Sequence, residues 1–224
     1  MARMQERENI MYHLAEEDKM ITGYHNLPIG KYQQIIARMQ QLGDGVDAHV
    51  SMIAQLNDIT EEEAYNMPLL KYQELSERAA FMMEELPKPS KRIMDVYALG
   101  TFKLVPTKDV KKFTTAQYID YQQMIKEENK LIEVLSCLLV PKGHIYADGY
   151  DLAEVQTAIA ENLSVMDAYN LSAFFLRKLK SSINSSLISL GMEMLKLPRK
   201  ERKPMLNLLR TIRNSFKSGD GLLM

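Results

Sequence analysis

The residues able to do chemistry in this chain are few and poorly spaced for it. Four histidines, His13, His25, His49 and His144, are scattered with no pair at helical spacing, so a zinc or di-metal centre is not expected. Cys137 is the single cysteine, which excludes an intrachain disulfide and a thiolate metal cage. Its setting in Leu135-Ser136-Cys137-Leu138-Leu139-Val140 reads as a small buried hydrophobe rather than a nucleophile. Asp148-Gly149-Tyr150-Asp151 lacks the alternating acids and distant bidentate glutamate of a calcium loop and reads as a turn followed by a helix cap. Glu61-Glu62-Glu63 and Glu84-Glu85 read as solvated helix ends, since paired catalytic carboxylates need partners held across a cleft. A phosphate-cradling glycine loop and a Gly-x-Ser-x-Gly elbow are both missing. No catalytic residue, metal site or cofactor is expected, and the chain reads as non-enzymatic.

The charge distribution is more informative. The net charge of −1 is unevenly divided: eleven Lys/Arg against three acids from Arg177 onward give +8, leaving −9 for the rest. Candidate contact residues are Lys196, Arg199, Lys200, Arg202, Lys203, Arg210 and Arg213. They could meet DNA phosphates, with affinity falling steeply with salt. They could equally meet an acidic protein neighbour, including the −9 portion of another copy, where complementarity sets orientation and assembly rate. A third account is a solvated amphipathic helix, Lys203 to Phe216, whose Met205, Leu208, Leu209 and Ile212 pack inward. Only Phe216 interleaves an aromatic ring with the charges, and no nucleic-acid-binding motif is present.

The elements that would position these groups are mostly helices. A ten-residue run, Asn26-Leu27-Pro28-Ile29-Gly30-Lys31-Tyr32-Gln33-Gln34-Ile35, recurs as Asn66-Met67-Pro68-Leu69-Leu70-Lys71-Tyr72-Gln73-Glu74-Leu75, and Arg38 and Arg78 keep the register. Each copy reads as a helix start: proline is tolerated in the first turn, and Asn26 is placed to cap its free amides. Tyr32 and Tyr72 are expected to turn inward, leaving Lys31, Gln33, Lys71 and Gln73 exposed. The first copy launches a helix stopped by Gly43-Asp44-Gly45, and a second helix carries Val46, Val50, Ile53 and Leu56 on one side. Thr60 and Glu63 form a capping box. The second copy launches a longer helix bearing Leu69, Tyr72, Leu75, Ala79, Met82, Met83 and Leu86 before Pro87.

Beyond Pro87 the pattern changes. Ile93–Ala98 and Thr101–Val105 read as a β-hairpin, which alone would be marginal in water. It must lie on the helices or join a sheet from another copy. Thr114-Thr115 caps a further helix, Leu131 to Val140 reads as a strongly apolar core helix, and His144–Gly149 as a loop. Asp151 caps a helix through Glu161, and Ser164 with Asp167 caps another from Val165 to Leu179. The resulting expectation is a mainly α, multi-helix fold with one small β-hairpin at about residues 93–105. Its parts are an N-terminal arm (1–22), a helical repeat unit (23–87), a hairpin plus helical core (92–186) and a basic C-terminal helical segment (187–224).

With 224 residues, 46% of them apolar and 25% charged, the chain can bury a sizeable core. Sixteen methionines and no tryptophan suit either an adaptable contact surface or a loosely specified core. The charged first twenty residues have no signal-peptide core, and no apolar run approaches the ~20 residues that span a bilayer. A soluble, intracellular product without membrane association is expected.

From Asn26 to about Ser186 the order of elements resembles a family of structural or assembly proteins of tailed bacteriophages of gut bacteria, including crAss-like phages. The features that carry the resemblance are the paired Leu/Met-Pro-x-x-Lys-Tyr-Gln segments, the hairpin around Met94 to Val96 and Thr115-Ala116-Gln117-Tyr118-Ile119-Asp120. They continue with Leu138-Leu139-Val140-Pro141-Lys142-Gly143, Tyr146-Ala147-Asp148-Gly149-Tyr150-Asp151 and Leu163-Ser164-Val165-Met166-Asp167-Ala168, running into Phe174-Phe175-Leu176. The resemblance implies a non-enzymatic role in virion morphogenesis at the tail or portal–tail junction, as a connector, ring or carried component. It further implies assembly in the host bacterial cytoplasm, other phage structural proteins as partners and homo-oligomerisation. A tail-assembly chaperone that leaves before maturation, and a DNA-binding accessory protein using the basic C-terminus, are the alternatives. Neither the N-terminal arm nor the basic C-terminal segment is covered by it.

Overall fold

The computed structural model describes residues 20–178 apart from Glu128. Among the described residues the chain divides into two units, 20–108 with 112–174, and 109–111 with 175–178. The fold is mainly helical with a small antiparallel sheet, as the sequence pattern requires. No described helix is long and apolar enough to cross a membrane.

Helix α1 spans Ile29–Leu42, with Pro28 as its N-cap and Gly43 (φ 72°) closing it; that left-handed φ carries no steric penalty at glycine. Asn26 does not cap the helix. Its Oδ1 accepts from the Thr22 and Gly23 amides, and its Nδ2 donates to the Met20 carbonyl, so it braces the incoming chain instead. Helix α2 (Val46–Leu56) packs on α1. Val50, Ile53 and Leu56 are buried as expected, but Val46, the first residue of the helix, is exposed.

The capping box forms at Thr60 and Glu63 and opens α3, Glu61–Asn66. Helix α4 (Leu69–Ala79) starts at the second N-cap proline, Pro68, and tightens into a 3-10 turn over Ala80–Met83. It buries Leu75 and Ala79, yet Leu69 and Met83 of the anticipated apolar stripe are exposed.

The sheet has three strands in the order β1 (Tyr97–Leu99), β2 (Phe102–Pro106) and β3 (Leu139–Pro141). Two features differ from expectation. The first strand begins at Tyr97 rather than near Ile93: the Met94 amide donates to the Tyr97 hydroxyl, folding this stretch back on itself. Residues 139–140, expected to end a core helix, form a strand instead. Pro141 disfavours helical geometry at the residue before it, and Leu139 already adopts φ −112°, ψ 111°. The hairpin thus finds its partner within its own chain, with Leu104 facing Tyr97 on one side and Pro141 on the other. Pro141 suits this edge, where its missing N–H costs no ladder bond.

Helices α5 (Thr115–Met124), α6 (Leu131–Leu138) and α7 (Leu152–Asn162) complete the core, followed by α8, 165–178. α6 packs on α5 and α7, and α7 packs on α1. The fully buried set includes Leu27, Ile29, Ile35, Leu104, Leu135 and Ile159, drawn from both the repeat region and the sheet region.

Candidate functional site

The two copies of the repeated segment differ at their helix starts, although both bury the tenth position, Ile35 and Leu75. In the first, Leu27-Pro28-Ile29 pairs with the α7–α8 junction in an antiparallel bridge: the Ile29 amide donates to the Leu163 carbonyl at 2.8 Å and the Val165 amide to the Leu27 carbonyl at 2.9 Å. Leu27 and Ile29 are 0% and 2% exposed. A Cβ on Gly30 would lie 2.8 Å from the Ala160 carbonyl oxygen, so only glycine lets α1 and α7 approach this closely. In the second copy Met67, the counterpart of Leu27, is half-buried against Val50, Ala54 and Ala64, whereas Leu69 and Leu70, in the positions of Ile29 and Gly30, are 69% and 81% exposed.

The elements around this exposed second copy are held by polar contacts. Glu61, at the start of α3, accepts from Arg38 of α1 at 3.2 Å and from the Ser51 hydroxyl of α2 at 2.7 Å. One carboxylate therefore ties three helices together. The Ser51 bond and then the Arg38 guanidinium hold its carboxyl below the ordinary glutamate range. Ser51 is fully buried and also accepts from Gln55. The Tyr65 hydroxyl donates to Asp47, bringing the start of α2, with Val46 exposed, alongside the end of α3. That bond, ahead of desolvation, raises the Tyr65 phenol. Tyr72, half-buried, has its hydroxyl 2.8 Å from His49 Nδ1, with the two rings edge to face. Lys31, expected to be exposed, is half-buried. It pairs with Asp58 at 2.8 Å and reaches the Leu56 carbonyl at the end of α2.

The other polar cluster lies between α5, α6 and the loop after β3. Cys137 Sγ sits 3.4 Å from the Tyr146 hydroxyl, which donates to Asp120 at 3.0 Å. Burial pushes the thiol up, as it does the Tyr146 phenol, and raises Tyr121 to about 12. A thiol kept protonated and fully buried is a poor nucleophile, and this arrangement packs the loop on the helices. Among the described residues no group of three His, Cys, Asp or Glu could hold a metal ion.

Of the sequence-derived contact residues, Lys196, Arg199, Lys200, Arg202, Lys203, Arg210 and Arg213 all lie outside the described residues. The residues that sequence reasoning missed are Leu69 and Leu70, assigned to an inward stripe or passed over. One signal was present: Leu70 occupies the position of Gly30, so the second copy cannot make the first copy's close approach.

No protein-family model, curated protein or solved structure matches this chain.

Proposed function

We propose that this chain is a non-enzymatic structural protein of a tailed bacteriophage, acting by repeated protein–protein contacts in the portal–tail region. The order of sequence elements from Asn26 to about Ser186 supports the virion assignment. The observation that carries the mode of action is the second copy of the repeat, which presents two adjacent leucines to solvent where its twin is packed against the α7–α8 junction. Large apolar side chains presented together on a braced helix start favour association over catalysis. The protein is a connector, ring or carried component of the particle, working with copies of itself and with other phage structural proteins.

Mass spectrometry of purified particles tests this reading. A fixed copy number per virion is the expected result. Presence in infected cells but absence from mature particles would overturn it in favour of a tail-assembly chaperone. Salt-sensitive DNA retention lost on deleting Lys196 to Met224 would instead favour the DNA-binding accessory role.

A further inference from the structure

We infer that the exposed start of α4 in one copy receives the basic C-terminal segment of a second copy, a head-to-tail contact that rests on the self-association proposed above. Three observations meet at this surface. Tyr65, Leu69 and Leu70 are exposed within six residues of one another, and the Tyr65–Asp47 bond adds Val46 from α2. The segment that carries them is acidic: residues 44–85 hold ten Asp/Glu against two Lys/Arg, a net −8, or −6 with Lys31 and Arg38, which pair into it from α1. Glu62 and Glu63, both exposed, immediately precede the apolar cluster. Arg38 and Lys31 reach into this region from α1, but they pair with Glu61 and Asp58, and Lys71 and Arg78 pair with Glu74. The basic side chains near the leucines are thus already engaged, and the region keeps its excess of outward-facing acid.

The complementary chemistry lies at the other end of the chain. From Arg177 onward the net charge is +8. The pattern of 203–216 sets Met205, Leu208, Leu209 and Ile212 at helical spacing among Lys203, Arg210 and Arg213. An apolar stripe flanked by cations is what an apolar cluster flanked by carboxylates recognises: the leucines supply contact area and the charges select orientation. Because the two surfaces differ, the contact is heterologous. Such contacts close into rings when the rotation per copy permits and otherwise propagate.

The test uses the full-length chain in three forms, followed by sedimentation velocity over a range of concentration and salt. One variant carries Leu69→Asp and Leu70→Asp; the other carries Arg210→Glu, Arg213→Glu and Lys217→Glu. Circular dichroism melts check that both fold as the parent does. The parent is expected to self-associate, with affinity falling about tenfold or more between low and high salt. Each variant alone is expected to stay monomeric, because each lacks one half of the contact. Mixed together they should form a dimer of twice 25.8 kDa and nothing larger, since one intact half on each chain makes a single junction. Parent-like association of either variant would overturn the inference while leaving the structural reading intact, with the leucines assigned to a different protein. A parent that stays monomeric throughout would overturn both the inference and self-association.

Discussion

The side-chain amide of Gln117 donates to the Cys137 carbonyl across 2.5 Å, joining the first turn of α5 to the last turn of α6. Gln117 is fully buried and does a second job: its Oε1 accepts from the Thr114 amide while Thr114 Oγ1 accepts from the Gln117 amide, closing a capping box. The Cys137 carbonyl is one of those a helix end leaves without an intrahelical donor. Replacing Gln117 with Leu removes that donor inside the core. The expected loss is about 1–3 kcal/mol, read as a lower midpoint in urea with an unchanged slope. Asn at this position, too short to span the gap, should recover little.

Ile29 and Leu69 are equivalent in sequence and opposite in burial, which allows a matched comparison. Ile29→Ala is expected to cost about 2–4 kcal/mol, from lost transfer energy and the cavity left beneath the α7–α8 junction. Leu69→Ala should change stability by less than about 0.5 kcal/mol, as exposed positions do. Thermal melts of the two variants decide the matter, and equal losses would contradict the different roles of the two copies.

Gly30→Ala probes the close approach of α1 and α7. The new methyl group would meet the Ala160 carbonyl oxygen at 2.8 Å and its Cβ at 3.0 Å, contacts with backbone and a short side chain that cannot swing away. Alanine is intrinsically the better helix former by about 1 kcal/mol, but the clash should outweigh this and leave a net loss of about 1–2 kcal/mol. A stabilised variant would mean that the two helices can separate freely.

Cys137 should resist alkylation in the folded protein. Its thiol is fully buried and raised above the ordinary range, first by desolvation and then by the Asp120 and Glu133 carboxylates. At mildly alkaline pH the folded chain is expected to react about a hundredfold or more slowly than the chain in denaturant. Rapid stoichiometric labelling of native protein would show that the α5–α6 contact opens readily.

Glu61 sets an acid limb on stability. Its folded pKa lies below the ordinary glutamate value of 4.5, so its contribution is fully present above that value and is lost as pH falls through the folded one. Urea midpoints measured from about pH 6 to 3 should therefore drop more steeply for the parent chain than for Glu61→Gln. Parallel profiles would show that the Ser51 and Arg38 contacts do not discriminate the carboxylate from its amide.

Helix starts were legible because their signals are local. Thr60 with Glu63 and Thr114 with Gln117 satisfy their own backbone amides within three residues, and glycine at 43 needs no distant partner to stop a helix. The third strand was not legible. Leu139-Val140 continues an apolar run that suits a helix equally well, and the choice rests on Pro141 and on β2 lying alongside to accept the pairing. Similarly, nothing in Asn26 distinguishes a helix cap from a brace for the preceding loop until the neighbouring amides are in place.

By itself the sequence determined the helical character, the repeated proline-led helix start and a charge asymmetry concentrated toward one end, because spacing, composition and capping act over a few residues. Tertiary structure decided how each proline-led entry is seated, with Ile29 buried and Leu69 exposed, although the exchange of Gly30 for Leu70 already marks a difference in the sequence. That distinction depends on Ala160 and the Leu163–Val165 junction, more than a hundred residues away in the chain, meeting Gly30 and Ile29 of the first copy. Long-range packing is what gives two related stretches, identical at five of ten positions, different work to do.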